Sequence, residues 1–466
     1  MSCRHIAPLL MFRISLTFEC HIFFGRNPMQ NNSHASGQSE PRCRSYYTAT
    51  VNNETNYSPL EGNIQVDVVI VGGGFTGVAS AIELAEKGYK VALLEANKIG
   101  WGATGRNGGQ ITGSLSGDQA MIRQLKRKIG TQAEDFVWGL RWRGHDIIKN
   151  RVEKYGIQCD LKFGHLHAAY KPSHMKELQA SYDEAVARGM GDEVRLMSAD
   201  EIPDILETDI YHGGLLNQRN MHVHSLNLCI GEARAAESLG AQIYEHTEVL
   251  DIVDGAQTKV VTKQGSVIAN TVLLAGNAYH RLGGKPLKGM LFPASLGNLV
   301  TVPLGDEVAS KINPHDLAVY DCRFVLDYYR LTADKRLMFG GGTNYSGRDS
   351  KRVAEELRPA IEKTFPRLKG VDIEFEWTGK AGIVINRIPQ LGKLSQNVYY
   401  AQGYSGHGIA TTHFVGEIMA NAIDGATDSF DIFSNFKQIR IPANDWAVQQ
   451  MLALGMWYYK MLERVG

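Results

Sequence analysis

A short glycine-rich loop and one downstream acid have the types and spacing that bind a dinucleotide. In "GGGFTG" the first glycine permits a tight turn, the second lets a pyrophosphate approach the backbone, and the third allows close packing of a helix on a strand. Glu95 follows at about 20 residues, where a carboxylate accepts hydrogen bonds from ribose hydroxyls and would repel the 2′-phosphate of NADP. The loop that we predict to bind phosphate consists of Gly72, Gly74, Phe75, Thr76 and Gly77.

A second glycine-rich segment favours a flavin over a nicotinamide. Residues 100–118, directly after the Glu95 strand, are "GWGATGRNGGQITGSLSGD". NAD-dependent dehydrogenases usually continue into another βα unit here. Small polar residues instead suit a chain that wraps a flavin closely with its backbone groups. The alternative interpretation is a long flexible loop.

A third segment repeats the strand, glycine turn and helix pattern near the end of the chain. In "AQGYSGHGIATTHFVGEIMANAI", residues 401–423, Gly406 and Gly408 let backbone N–H groups approach a ligand. A helix N-terminus aimed at the flavin pyrimidine would stabilise negative charge on the reduced ring. The "GYSGH" stretch lacks the spacing of a G-x-S-x-G nucleophile elbow, so we do not predict an esterase.

Alternating strand and helix patterns position these segments and indicate an α/β fold. The continuous apolar run Val66–Val71 predicts a strand buried on both faces. A helix over Gly77–Lys87 should end at Gly88, and a second strand should cover Val91–Glu95. Residues 120–155 predict a charged amphipathic helix.

Nucleotide-binding patterns occur early, in the middle and late, with sequence of another kind between them. We therefore predict a discontinuous Rossmann-like domain with an inserted α+β substrate domain that contains a mixed or antiparallel sheet. The predicted boundaries are a disordered extension at 1–45, the nucleotide domain at 46–118, 213–285 and 375–430, the substrate domain at 119–212 and 286–374, and a C-terminal helical tail at 431–466.

Composition excludes several classes of protein. Lys+Arg and Asp+Glu both total 49 in 466 residues, so no net field attracts nucleic acid. The 6 cysteines are scattered without CxxC pairs, which is typical of a reduced, cytoplasmic protein. No apolar run is long enough to predict a membrane span. Residues before about Met29 suggest translation from an upstream start codon or disorder, with a targeting peptide as the alternative.

Several motifs taken together resemble the FAD-dependent D-amino-acid-oxidase superfamily, above all its branch that oxidises γ-glutamylputrescine. The matching stretches include "VVIVGGGFTG", "GATGRNGGQ", "RLMFGGG", "WTGKAGIVINRIPQLG" and "GYSGHG", and the match runs from about Tyr46 to the C-terminus. The resemblance implies oxidation of an amine by hydride transfer to FAD, through an imine to an aldehyde and ammonia. Molecular oxygen or another electron acceptor would reoxidise the flavin.

The resemblance also assigns cofactor contacts. Glu95 and the phosphate loop would hold the ADP half, and the backbone of Val249 would contact the adenine. Gly276 would end the third strand of the nucleotide domain. The residues implied along the flavin are Thr104, Arg106, Asn107, Gly108, Gly109, Gln110, Gly406, His407, Gly408 and Ile409.

Two positions depart from relatives that oxidise sarcosine. Ala410 stands where those enzymes carry a lysine that binds the substrate carboxylate, and Met338 stands where they carry an oxygen-activating lysine. The first departure favours an amine whose carboxylate is far from the reacting carbon, as in γ-glutamylputrescine. The second leaves the electron acceptor open. No cysteine lies near "EFEWTGKAG", so we expect non-covalent FAD.

Candidate catalytic residues are His407, Tyr328 and Tyr329. Neighbours on a strand point to opposite faces, so one tyrosine can line an amine pocket while the other packs in the sheet. His407 either polarises the flavin or serves as a spacer. Arg330 either pairs with a glutamyl carboxylate or forms a surface ion pair.

The sequence also bears on a metal site, on the place of Trp377 and on alternative functions. His222 and His224 lack a third ligand at suitable spacing, so we predict no metal site. Trp377 fits the core better than a substrate cage. The alternative functions are oxidation of glycine, sarcosine or a D-amino acid, and a flavin-binding subunit without turnover.

Overall fold

The computed structural model describes residues 40–280, 282–441, 448, 450–455 and 461. The strands are β1 (Gly62–Val71), β2 (Val91–Leu94), β3 (Gln110–Ile111), β4 (Lys162–Ala168), β5 (Val194–Ser198), β6 (Gly213–His222), β7 (Gln242–Tyr244), β8 (Val249–Val253), β9 (Thr258–Thr262), β10 (Gly265–Leu274), β11 (Phe292–Thr301), β12 (Ala318–Asp321), β13 (Tyr328–Leu331), β14 (Leu337–Asn344), β15 (Ile373–Ile383), β16 (Gln390–Lys393) and β17 (Val398–Gln402). The helices are α1 (Tyr46–Ala49), α2 (Phe75–Glu86), α3 (Asp118–Ile129), α4 (Gln132–Lys154), α5 (Met175–Ala187), α6 (Ser225–Ser238), α7 (Gly284–Leu287), α8 (Gly305–Ile312), α9 (Val353–Thr364), α10 (Gly408–Ile423) and α11 (Asp428–Ser434).

The first sheet is a doubly wound nucleotide-binding sheet. Its strands follow the order β16-β17-β10-β1-β2-β7, and β1 pairs in parallel with both β2 and β10. The chain leaves β1 toward β2 and later returns to its other side, so β1 marks a topological switch point. Ligands of such sheets bind beyond the carboxyl ends of the strands at this point. The three glycine-rich segments all start at these ends, after Val71, Leu94 and Gln402.

The second sheet is mixed and mostly antiparallel. Its order is β15-β11-β14-β13-β12-β4-β6-β3, with β5 paired to β6 and a single parallel pair, β4 with β12, among the described strands. The residues between the two sheets form a continuous apolar core that includes Tyr47, Met338 and Trp377. The predicted α/β fold with a second sheet of this kind is confirmed.

Strand pairing distributes the chain somewhat differently from the predicted segments. β6 and β15 pair within the second sheet, although the predicted nucleotide segments begin at 213 and 375. Sequence patterns reveal a strand but not its partner, so these two strands could not be assigned to a sheet in advance. The finer domain boundaries stay a prediction.

Local differences have local causes. The helix predicted over 120–155 is divided into α3 and α4, because Gly130 adopts a φ of 62° that a helix cannot continue. Residues 40–45, predicted as part of a disordered extension, contact the nucleotide domain. There Arg42 donates to the Ile99 carbonyl at 2.7 Å, and Trp101 Nε1 donates to the Pro41 carbonyl at 2.9 Å.

Parts of two predictions lie outside the described residues. These are the extension at 1–39 and most of the C-terminal tail. In the part of the chain that the structure describes, every helix is too short or too polar to cross a membrane.

Candidate active site

The phosphate loop follows β1 with the geometry that its glycines predict. A Cβ on Gly77 would lie 1.9 Å from the Gly72 carbonyl oxygen, so only glycine lets α2 begin this close to the strand. Gly72 has a φ of 117°, and a Cβ there would lie 3.0 Å from the Ala275 backbone. Gly74 is the N-cap of α2 and supplies no side-chain cap. Phe75 N donates to Thr104, and the next N–H groups of the first turn, which the helix does not satisfy internally, therefore suit a phosphate.

Glu95 joins the loop to the adenosine end of the site. Its carboxylate accepts hydrogen bonds from Gly73 N at 2.6 Å and Asn97 N at 2.9 Å. Burial raises the pKa of this carboxyl group, while the two backbone donors act in the opposite direction. The Thr247 N–H donates to the Glu95 carbonyl at 2.8 Å, which brings the segment leading into Val249 to the same edge. The acid and the predicted adenine contact thus lie together.

The second glycine-rich segment uses its side chains to shape its own backbone. Thr104 Oγ1 accepts from Phe75 N at 3.1 Å and connects this segment to the start of α2. Asn107 accepts from Gly109 N at 2.8 Å and donates to the Thr104 carbonyl at 2.8 Å. Gln110 donates to carbonyls of the second sheet. The backbone around residues 104–109 is therefore held in place by its own side chains, as a flavin cradle requires.

The Arg106 carbonyl anchors the same segment to β11 and β15. It accepts hydrogen bonds from Asn298 Nδ2 at 3.1 Å and Trp377 Nε1 at 3.0 Å. Trp377 thus lies in the core, where the sequence placed it. Asn298 had no sequence signal, because a lone asparagine in an apolar strand has no characteristic spacing.

The third segment has an open side. β17 ends at Gln402, Gly403 and Gly406 have φ values of 85° and 97°, and α10 begins at Gly408 with His407 as its N-cap. A Cβ on Gly406 would meet no atom within 4 Å. Gly276 closes the neighbouring strand end, and Asn277 Oδ1 accepts from Gly403 N at 3.0 Å. The open side at Gly406 therefore leaves room for a ligand.

His407, the N-cap of α10, is a neutral imidazole and lies close enough to His167 to lower the pKa of that second ring. Burial, together with the nearby Arg387 guanidinium, lowers the pKa of His407 to about 4. Burial also lowers the pKa of His167 to about 4, with smaller contributions from His174 and His407. The Nδ1 atom of His407 is buried and has no hydrogen-bond partner among the described residues.

All three segments meet at one edge of the first sheet and fit a flavin dinucleotide. A glycine loop with a helix N-terminus suits the pyrophosphate, an acid suits the ribose, and two further backbone loops suit the ring system. A sequence profile of the DAO family, described as FAD dependent oxidoreductase, matches residues 67–422.

The chain belongs to this family of FAD-dependent oxidoreductases.

Relatives of known name cover most of the chain. The γ-glutamylputrescine oxidoreductase of Escherichia coli (strain K12) is 38% identical over 425 residues, which are 91% of this chain and 98% of that protein. The crystal structure of glycine oxidase from Geobacillus kaustophilus has a TM-score of 0.68 at 22% identity, over 82% of this chain and 100% of that one. The L-α-glycerophosphate oxidase of Mycoplasma pneumoniae, solved with FAD bound, has a TM-score of 0.62 at 15% identity, over 82% and 98%. The predicted superfamily, FAD cofactor and oxidoreductase class are confirmed.

The structure brings Tyr328, but not Tyr329, to the flavin segments. The Tyr328 ring covers Gly108, where a Cβ would lie 2.4 Å from the ring, and its hydroxyl donates to Asn298 Oδ1 at 2.9 Å. Burial raises the pKa of Tyr328, so the hydroxyl stays a donor. Tyr329 points to the opposite face, stacks on Phe339 at 5.5 Å and is 1% exposed. Strand alternation separates the two rings, as expected for neighbours.

Arg330, His222 and His224 have structural partners. The Arg330 guanidinium is 2% exposed and donates to the carbonyls of Gly108 at 3.0 Å and Val223 at 2.8 Å. It therefore supports the flavin segment and is no surface ion pair. His224 caps α6 by accepting from Asn227 N, and His222 contacts the Asp316 carbonyl. No group of three metal-binding side chains occurs within the described residues.

The two departures from sarcosine-oxidising relatives lie in packed surroundings. Ala410 is buried in the first turn of α10, and its carbonyl would lie 2.1 Å from a Cβ on Gly144 of α4. Met338 is buried beside Tyr47, whose hydroxyl is 3.6 Å from its sulfur. Neither position provides a cation.

Proposed function

We propose that this enzyme oxidises the terminal primary amine of γ-glutamylputrescine, or of a similar γ-glutamylated or free amine. Bound FAD, which we propose to be non-covalent, supplies the acceptor for a hydride. The carbon next to the nitrogen gives up that hydride and the nitrogen gives up a proton, which leaves an imine. Water adds to the imine, ammonia leaves and an aldehyde remains. We propose molecular oxygen as the final acceptor, with hydrogen peroxide as its product.

The observation that carries the proposal is the packing around Ala410. Related enzymes that oxidise sarcosine carry a lysine here for a carboxylate beside the reacting carbon. In this chain the position is an alanine whose backbone is covered by α4 at Gly144. A substrate with a carboxylate next to its reacting carbon would lose its charged partner. An amine with a remote carboxylate loses nothing, and the name of the 38% identical relative agrees with such a substrate.

Neutral groups near the start of α10, the end of the site where we propose that the flavin ring lies, support selection of an unprotonated amine. We call this part of the site the ring end. His407 and His167 are uncharged at neutral pH, because burial holds the pKa of each near 4. Desolvated surroundings disfavour a substrate ammonium and lower its pKa. The unpartnered His407 Nδ1 can accept a hydrogen bond from the amine when the other ring nitrogen carries the proton. Tyr328 adds an aromatic ring over Gly108 and a hydroxyl that is fixed by Asn298.

Glycine, sarcosine or D-amino acid oxidation is the second candidate. It is favoured by the fold shared with glycine oxidase and opposed by Ala410. A flavin-binding subunit without turnover is the remaining alternative.

An anaerobic titration of the purified yellow protein with γ-glutamylputrescine tests these candidates. We expect the flavin absorbance to bleach and to return when air is admitted, with ammonia and hydrogen peroxide formed. Bleaching without return in air would refute oxygen as the acceptor. Bleaching by glycine or sarcosine alone would favour the second candidate, and a flavin that no amine bleaches would favour the subunit.

A further inference from the structure

We infer that Arg387 and Tyr345 form a binding subsite for a substrate carboxylate that is remote from the reacting carbon. The inference rests on the proposed function for the identity of the substrate. It rests on the described side chains for the place and chemistry of the subsite.

Arg387 lies in a turn held between two of the flavin segments. The turn connects β15 to β16, and its Val384 N–H donates to Ser405 Oγ at 3.2 Å, in the "GYSGHG" segment. On its other side, a Cβ on Gly117 would lie 2.8 Å from the Arg387 carbonyl carbon. The end of the second glycine-rich segment and the turn before α10 therefore both contact this turn. The Arg387 side chain therefore starts from a turn that borders the segments proposed to hold the flavin.

The backbone of Arg387 is strained in a way that a surface arginine does not need. Its φ is 64°, in the left-handed region that non-glycine residues rarely adopt. Strain of this kind is typical of residues whose side-chain direction matters to function. The Arg387 N–H donates to the Val384 carbonyl at 3.1 Å, which closes the turn and holds this conformation.

The Arg387 guanidinium has no carboxylate partner within the described residues. It is half-buried, donates to the Tyr345 hydroxyl at 3.2 Å and lies 5.5 Å from the centre of that ring. Other half-buried arginines of the same sheet are paired with acids, as Arg323 is with Asp321 and Asp327. A guanidinium offers five donors in a planar fork that matches a carboxylate. Tyr345 accepts from Arg387 and keeps its own hydrogen to donate to the same carboxylate.

The carboxylate of the proposed substrate lies far from its reacting carbon. Nine bonds separate the reacting carbon of γ-glutamylputrescine from its carboxylate carbon. Nine bonds are also the length of three extended residues, or roughly 10 Å. Arg387 lies close enough to His407 for its charge to lower the pKa of that imidazole, so it is near the start of α10. Arg330, the other arginine considered from the sequence, is occupied by backbone carbonyls and cannot serve.

Binding of a mimic tests the subsite separately from catalysis. The probe is γ-glutamyl-n-butylamide, which keeps the glutamyl end and lacks the reacting amine. Its dissociation constant is measured on the FAD-loaded protein by calorimetry for the wild type, Arg387→Gln, Arg387→Lys and Tyr345→Phe. We expect Arg387→Gln to weaken binding roughly 10- to 100-fold, since hydrogen bonds to charged groups contribute about 1.5–3 kcal/mol. Arg387→Lys should retain part of the affinity that Arg387→Gln loses, and Tyr345→Phe should raise the dissociation constant only a few-fold.

Two controls separate recognition from folding. Arg352→Gln removes an exposed guanidinium on the same sheet's covering helix, where Arg352 pairs with Glu355 at 3.2 Å, and should leave binding unchanged. The second probe, n-butyl butanamide, lacks the carboxylate and should bind the wild type and Arg387→Gln with equal affinity.

Equal binding of the glutamyl probe to the wild type and Arg387→Gln, or no binding to the wild type, would overturn the inference. If the probe binds through Arg387 but γ-glutamylputrescine does not bleach the flavin, the subsite stands and the proposed reaction fails.

Discussion

Replacement of Gly144 by alanine should disturb the flavin end of the site through helix packing alone. Gly144 lies in α4, where an added Cβ would be 2.1 Å from the Ala410 carbonyl oxygen and 2.6 Å from its carbon. Ordinary contact begins at 3.4 Å, so α4 and the first turn of α10 must separate by more than 1 Å. Such overpacking costs about 1–3 kcal/mol. The displaced turn carries Gly408 and Ile409, so FAD affinity should fall as well.

Gly139 in the same helix supplies the matched control. It is exposed, and a Cβ there would meet no atom within 4 Å. Gly139→Ala should stabilise the protein by about 1 kcal/mol through helix propensity, without any effect on the flavin. Because propensity acts equally in both variants, the difference between them isolates the packing cost of about 1–3 kcal/mol.

Urea unfolding and FAD titration of the two variants measure this difference. The free energy of unfolding and the dissociation constant of FAD are compared, together with the visible absorbance of the bound flavin. If Gly144→Ala is as stable as Gly139→Ala and binds FAD equally well, α4 does not cover Ala410 as closely as described. The argument from Ala410 to a remote carboxylate would then lose its support.

Three further predictions follow from other parts of the site. Glu95→Gln should weaken FAD binding roughly tenfold, because charge-assisted bonds to the ribose become neutral ones, and fluorescence titration of the apoprotein checks this. Tyr328→Phe should lower kcat/KM about tenfold, since it leaves Asn298 Oδ1 without its donor. Tyr329→Phe should destabilise the fold but leave kcat/KM of the holoenzyme unchanged. Equal losses of kcat/KM in the two variants would refute the assignment of the two rings to opposite faces of β13. The free energy of unfolding should fall as the pH drops from about 6.5 toward 4. In this range a histidine binds a proton in the unfolded chain but stays neutral in the folded protein, where burial lowers its pKa. Each such histidine should lower the free energy of unfolding by about 1.4 kcal/mol per pH unit. Those histidines are His145, His165, His167, His222, His224, His280 and His407, and a urea midpoint that is higher at pH 5.5 than at pH 7.5 would contradict the assignment.

The nucleotide half of the site could be predicted because its requirements are local. A tight turn, a close phosphate and a helix start must follow one another within a few residues, so Gly72, Gly74 and Gly77 carry the information by themselves. The same holds for the turn before α10, where strand, glycines and helix are contiguous. In both places backbone geometry, and not a distant partner, determines which residue types fit.

The substrate half could not be predicted in the same way, because its residues meet only through strand pairing. Tyr328 and Tyr329 differ by one position, and only the register of β13 against β14 determines which ring lies over Gly108. Arg387 lies between β15 and β16, Tyr345 follows β14, and the two residues have no sequence spacing in common. A positive φ at Arg387 is likewise invisible in the sequence, since nothing requires a glycine there.

The same limit applies to the charges that align the cofactor helices. Arg151 of α4 donates to Glu83 of α2 at 2.6 Å and to Glu232 of α6 at 3.1 Å. His413 of α10 contacts Glu232 at 3.0 Å through Nε2 and the Ile409 carbonyl at 2.6 Å through Nδ1. Each ring nitrogen of His413 therefore faces an oxygen atom, one on α6 and one in its own helix.

Arg151 and His413 therefore connect two carboxylates across four helices. Burial opposes the charge on Glu232, yet its hydrogen bonds and electrostatic contacts with His413 and Arg151 hold the pKa of this carboxyl group below its usual value. Removal of one member would leave a buried charge without its partner, which typically costs 3–5 kcal/mol. Since α2 starts after Gly74 and α10 starts at Gly408, this network connects the two glycine-rich segments that we propose to hold the two ends of the flavin. The local motifs build each end, but the distance between the ends depends on residues that no motif contains.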